Sequence, residues 1–289
     1  MISFRYHVVT IVAVFLALGL GLLAGSSFGQ PALVSQLRAR TDAQLQRIDE
    51  LRAEADALRV RAGTLDAFSA AAMPYLVDGR LEGYRAIVVT QEGVSGATER
   101  TALDALERAG ADVIITLSLQ PSLAGTEPAD AASLRAVIGD SSPADAIAAR
   151  LTTPVEPPSG TDVLLALVDG GFLATRSIGI DEAMRERIRG GGDLVFVVLG
   201  GAAAGDEPSI TAAIAADLVR ALATIGSPVA AGEGTDVADP WVGDLRGDGI
   251  VTVAGLDDAP GASALVLGMR DRLVTGRGGA YGTASAALP

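Results

Sequence analysis

Gly200-Gly201-Ala202-Ala203-Ala204-Gly205 is the stretch whose residue types come nearest to a ligand loop. It follows an apolar run and precedes a helix-forming one, the place where phosphates settle in doubly wound folds. The spacing is not GxGxxG and no lysine follows, so a plain strand-to-helix turn is the competing reading. Asp257-Asp258, and Asp244 with Asp248, are acidic pairs in glycine-rich loops. They read either as solvated carboxylates or as weak divalent ligands. Arg246-Gly247-Asp248 spells an adhesion tripeptide and reads as an ordinary turn. His7 is the single histidine and there is no cysteine, which excludes an intrachain Ser-His-Asp triad and a thiolate metal site. Met73, Met184 and Met269 are scattered and read as core filling rather than a thioether cluster. The residues therefore assign no catalytic, cofactor-binding or metal-binding side chains, and they point to a non-enzymatic protein.

Composition narrows the partners. The chain has 289 residues and a formal net charge of −13, a surface that repels phosphate backbones and argues against nucleic acid. Every cationic side chain is arginine; lysine and asparagine are absent. That removes any P-loop lysine and any N-glycosylation sequon.

The elements that would position such residues begin with an apolar run. No formally charged side chain lies between Arg5 and Arg38, and Val8 to Phe28 would make about 31 Å of helix, enough for a hydrocarbon core of about 30 Å. An uncleaved membrane anchor is the favoured reading. A cleaved signal peptide is its rival, because Ala24-Gly25-Ser26 offers small residues, although Leu22 is a poor fit at the −3 position. Arg5 ahead of the span places the amino terminus inside and the following domain outside. Ala13, Ala17, Gly21 and Gly25 fall four apart and line one helix face, as in close-packed membrane helices.

A heptad pattern follows. With Val34 as position a, the a series is Val34, Thr41, Ile48, Ala55, Ala62 and the d series is Leu37, Gln44, Leu51, Leu58, Leu65. Only Thr41 and Gln44 are polar, and Arg40, Arg47, Glu54 and Arg61 fall at g. The expectation is a coiled coil of about 45 Å that ends at Gly63 and pairs as a parallel homodimer. A single long helix packed back on its own domain is the alternative.

Beyond the rod an α/β pattern is expected. Candidate strands are Arg85–Thr90, Val113–Leu117, Asp193–Leu199, Val229–Ala231, Ile250–Ala254 and Ala264–Leu267. Candidate helices are Ala97–Ala109, two within Pro128–Arg150 broken at Pro143, Thr161–Leu173, Asp181–Arg189 and Ser209–Ile225, with a proline-rich loop at Thr152–Gly160. Valine- and isoleucine-rich strands alternating with helices predict a mainly parallel, Rossmann-like sheet covered on both faces. An outer-membrane barrel would need many alternating ten-residue segments, which the pattern lacks. The expected division is an anchor at 1–29, a coiled-coil helix at 30–66 and an α/β domain with a glycine-rich tail at 67–289.

Two blocks carry a family resemblance. Met1-Ile-Ser-Phe-Arg-Tyr-His-Val-Val-Thr-Ile-Val-Ala-Val-Phe-Leu, with the heptads behind it, resembles the start of the actinobacterial MctB-type copper transport protein family. Val253-Ala-Gly-Leu-Asp-Asp-Ala-Pro-Gly-Ala-Ser-Ala-Leu-Val-Leu-Gly-Met269 and Gly278-Gly-Ala-Tyr-Gly-Thr283 are similar to its C-terminal signature. Family tails carry His just before Tyr-Gly-Thr, where this chain has Ala280. The resemblance implies a cell-envelope protein with one membrane segment, a coiled coil and an α/β domain. It implies a role in copper transport or homeostasis with copper as the metal handled, and its name suggests the outer membrane. It also implies an alternative role, a division-site scaffold that recruits or activates a peptidoglycan hydrolase.

Overall fold

Two apolar runs of β-branched and aromatic residues, Ile87-Val88-Val89 and Val195-Phe196-Val197-Val198, are best satisfied inside a sheet covered on both sides. They form β1 (Arg85–Thr90) and β4 (Leu194–Gly200), which pair in parallel at the centre of a seven-stranded sheet. The computed structural model describes residues 4–28, 30–153, 163–176, 193–202, 211–245 and 249–282. By internal packing the chain divides into Met1–Leu65 and Asp66–Pro289.

In the first unit, α1 (Phe4–Phe28) contains one stretch, Tyr6–Gly25, long and apolar enough to cross a membrane, with mean hydropathy 2.6. Helix α2 (Gln30–Val77) is 48 residues long and continues through Gly63 and Pro74. The expected stop at Gly63 is therefore wrong. One glycine costs a helix only about 1 kcal/mol against alanine, and helix formers flank it on both sides. Farther on, Val77 is fully buried in the core of the second unit and Met73 packs against that core. The helix ends after Pro74, where the Asp78 N–H donates to the Pro74 carbonyl at 3.0 Å.

The sheet order is β3-β2-β1-β4-β5-β6-β7. Strands β2 (Asp112–Leu119), β5 (Val229–Glu233) and β6 (Ile250–Ala254) join β1 and β4 in parallel register, as does the short β7 (Gly279–Tyr281). Among the described strands only β3 (Leu173–Thr175) runs antiparallel, against Leu117–Leu119 of β2. Helices α3 (Gly96–Arg108) and α8 (Ala259–Thr275) cover one face. Helices α4 (Pro128–Ile138), α5 (Pro143–Thr152), α6 (Val163–Asp169) and α7 (Ala212–Thr224) cover the other. The mixed α/β class and mainly parallel sheet agree with the sequence reading.

Three element assignments change. Thr161–Leu173 is not one helix: α6 ends at Asp169, Gly171 turns the chain at φ 73°, and Leu173 starts β3. Ala264–Leu267 is not a strand but the middle of α8. Asp258 caps that helix, and Ala262, Leu265, Val266 and Met269 recur on its buried face at helical spacing. Residues 279–281, read only as tail, form the edge strand β7. The expected helix at 181–189 lies outside the described residues, as do 154–160 of the proline-rich loop and Ser209-Ile210 ahead of α7.

Candidate functional site

The chain leaves β1 for β2 on one side of the sheet and returns to β4 on the other. This reversal makes the carboxyl ends of β1 and β4 a topological switch point, where open α/β sheets bind ligands. Gln91 follows β1 there, and Gly200 and Gly201 close β4. An isolated antiparallel bridge, Val94 to Ala202, ties the two departing loops together.

The crevice is filled by the chain itself. Trp241 is 8% exposed, and its indole packs so closely on Gly200 that a Cβ there would collide with the ring. The indole Nε1–H donates to Gln91 Oε1 at 2.7 Å, and the Gly201 N–H donates to the same oxygen at 3.2 Å. Gln91 Nε2 is buried and has no hydrogen-bond partner among the described residues. Gly201 has φ 81°, a left-handed conformation that favours glycine, and a Cβ on it would press on Val237.

Glu233, the last residue of β5, holds the loop that carries the indole. Its buried carboxylate accepts from the Trp241 and Val242 N–H groups, both at 3.2 Å. Burial pushes its pKa above the usual carboxylate value. The two N–H donors oppose that rise, and the charge of Asp244 adds to it. Of the glycine stretch singled out in the sequence, Gly200, Gly201 and Ala202 sit at this crevice, while 203–205 lie outside the described residues. Gln91, Trp241 and Glu233 were not anticipated.

The acidic pairs serve the backbone. Asp257 Oδ1 accepts from the Thr235 N–H and hydroxyl, both at 2.8 Å, and Asp258 Oδ1 accepts from the Gly261 N–H at 2.7 Å as the cap of α8. Asp244 lies in a 3-10 turn, Val242–Asp244, while Asp248 and the rest of the Arg-Gly-Asp triplet lie outside the described residues. Among the described residues no three His, Asp or Glu side chains gather as metal ligands would. Met269 is fully buried and Met73 partly so, both in apolar packing, and Met184 lies outside the described residues. His7 is exposed on α1.

Ala13, Ala17, Gly21 and Gly25 all lie on α1 and are exposed. On α2, Leu37, Ile48, Leu51, Leu58 and Leu65 are 42–65% exposed, so an apolar stripe interrupted at Thr41 and Gln44 faces solvent in one chain. Val34 is on the same helix, its side chain outside the described set. The Thr41 hydroxyl donates back to the Leu37 carbonyl at 2.9 Å, which satisfies one of the two polar seam residues. Arg47–Glu50, Arg52–Asp49 and Arg59–Asp56 pair along the helix beside the stripe.

A family model described as "Copper transport outer membrane protein, MctB" matches residues 1–289. The chain is also similar to proteins named "Copper transporter MctB" from Mycobacterium bovis and from Mycobacterium tuberculosis strain H37Rv. In both cases the identity is 28% over 325 residues, covering 100% of this chain and 98% of the relative.

Proposed function

The chain belongs to the MctB family of copper transport outer membrane proteins, and from that premise we propose that it is a membrane-anchored copper-handling protein of the cell envelope that performs no catalysis of its own. The match of the family model across residues 1–289 carries this reading. Copper is the cargo. Among the described residues no cluster of three His, Asp or Glu side chains gathers in one chain.

In this reading α1 is a single-pass anchor and the α/β domain stands outside the cytoplasm. The apolar stretch Tyr6–Gly25 supports the anchor. Two chains pair in parallel. Ala13, Ala17, Gly21 and Gly25 let the membrane helices approach, and Ile48, Leu51 and Leu58 supply the seam above them. Parallel anchors deliver parallel rods, so the two contacts reinforce each other.

The test is cellular copper content in a strain lacking the protein, with and without the gene restored. Deletion should raise accumulated copper and restoration should lower it. Unchanged copper across all three strains would overturn the copper role. Protease accessibility of the α/β domain in intact spheroplasts checks the orientation separately.

A further inference from the structure

The switch-point crevice carries a feature that copper handling does not use. Gln91 presents an acceptor and a donor side by side in a buried setting. The indole of Trp241 is a donor only, so it engages Oε1 and leaves Nε2 without a partner. A buried amide is seldom left half-satisfied, and such an exception asks for an explanation. The slot around it is flat. Gly200 has no side chain, and the ring of Trp241 lies where a Cβ would otherwise stand.

We propose that this crevice is a binding slot for adenine or adenosine, which Trp241 occupies as a built-in stand-in. Adenine is planar and offers an N6–H donor beside the N7 acceptor, the edge that a glutamine amide reads with two hydrogen bonds. It replaces the indole N–H at Oε1 and gives Nε2 its acceptor. A purine without the 6-amino group keeps N7 but has no donor beside it and cannot serve Oε1. The buried Glu233 carboxylate beneath the same loop disfavours an added phosphate charge, so the ligand is the base or nucleoside rather than a triphosphate. For the ligand to enter, the loop bearing Trp241 must lift, breaking the Glu233 bonds to the Trp241 and Val242 N–H groups.

Trp241 is the only tryptophan in the chain, so its emission reports the plug directly. The experiment titrates the detergent-solubilised full chain with adenosine, with purine riboside as control, in metal-free buffer. Adenosine should shift the emission to longer wavelength and saturate at or below about 1 mM, the weak end of specific binding. Purine riboside should not. Gln91→Glu keeps an acceptor for Trp241 and Gly201 but loses the donor, so adenosine should bind about tenfold more weakly or worse. Trp241→Phe keeps an apolar plug without the competing N–H, and calorimetry should show tighter adenosine binding. No saturable shift with adenosine, an equal response to purine riboside, or undiminished binding by a folded Gln91→Glu each overturns the proposal. If Gln91→Glu does not fold, failure of Trp241→Phe to bind adenosine does the same.

Discussion

Arg85 and Asp193 grip each other twice, Nε to Oδ2 at 2.6 Å and Nη2 to Oδ1 at 2.7 Å, across the start of the two central strands. The Arg85 N–H also donates to the Asp193 carbonyl at 2.8 Å, so the pair fixes the register in which β1 and β4 begin. The Arg85 guanidinium holds the Asp193 carboxyl below its ordinary pKa. Asp193→Asn should cost less than about 1 kcal/mol, because the carboxylate is 43% exposed and solvent screens the pair. A carboxylate with a depressed folded pKa stabilises above its unfolded pKa and loses that contribution as pH falls through the folded value. The wild-type advantage should therefore be present at neutral pH and vanish in acid. Urea midpoints at the two pH values measure it.

Glu233 titrates with the opposite sign. Burial raises its pKa, so the folded state holds the proton more tightly than the unfolded chain. Its contribution is fully present below the unfolded pKa and is lost as pH rises through the folded one. Glu233→Gln should remove that part of the pH dependence, so the variant's melting temperature should fall less than the wild type's between acid and neutral pH. Paired thermal scans check this.

The rod offers a test of assembly. Leu51 lies on the exposed stripe of α2, and Leu51→Asp should shift the detergent-solubilised chain from the proposed dimer towards monomer without altering the α/β domain. Leu51→Pro should cost about 3 kcal/mol or more of helix stability and have the same effect on assembly. Sedimentation velocity reads both.

Gly261 sits under the first turn of α8, where a Cβ would strike the Gly255 carbonyl. Because the obstacle is backbone, Gly261→Ala should destabilise by about 1–3 kcal/mol. Asp258→Ala removes the cap that the Gly261 N–H uses and should cost about 1 kcal/mol. Chemical denaturation of the two variants gives the values.

The sequence announces the central sheet clearly because β1 and β4 carry apolar runs rich in valine and isoleucine, which suit a doubly covered sheet. The antiparallel β3 is three residues long, too short for any periodicity to register. The apolar Ala264–Leu267 misleads because a buried helix face and a buried strand look alike over four residues, and the deciding signal is the Asp258 cap upstream. The crevice is hidden for a different reason. Gln91 and Trp241 are 150 residues apart, and neither type is distinctive alone. A lone tryptophan downstream of a glycine pair is the one local hint, since a ring of that size needs a place without side chains to lie.

Both margins of the sheet are three-residue strands, one of them antiparallel to its neighbour. Among the described residues each rim thus offers only a few peptide groups, which is a poor template for pairing with a stranger. If α1 anchors the chain in a bilayer, neighbouring molecules would meet repeatedly in two dimensions, and blunt rims of this kind disfavour edge-to-edge stacking.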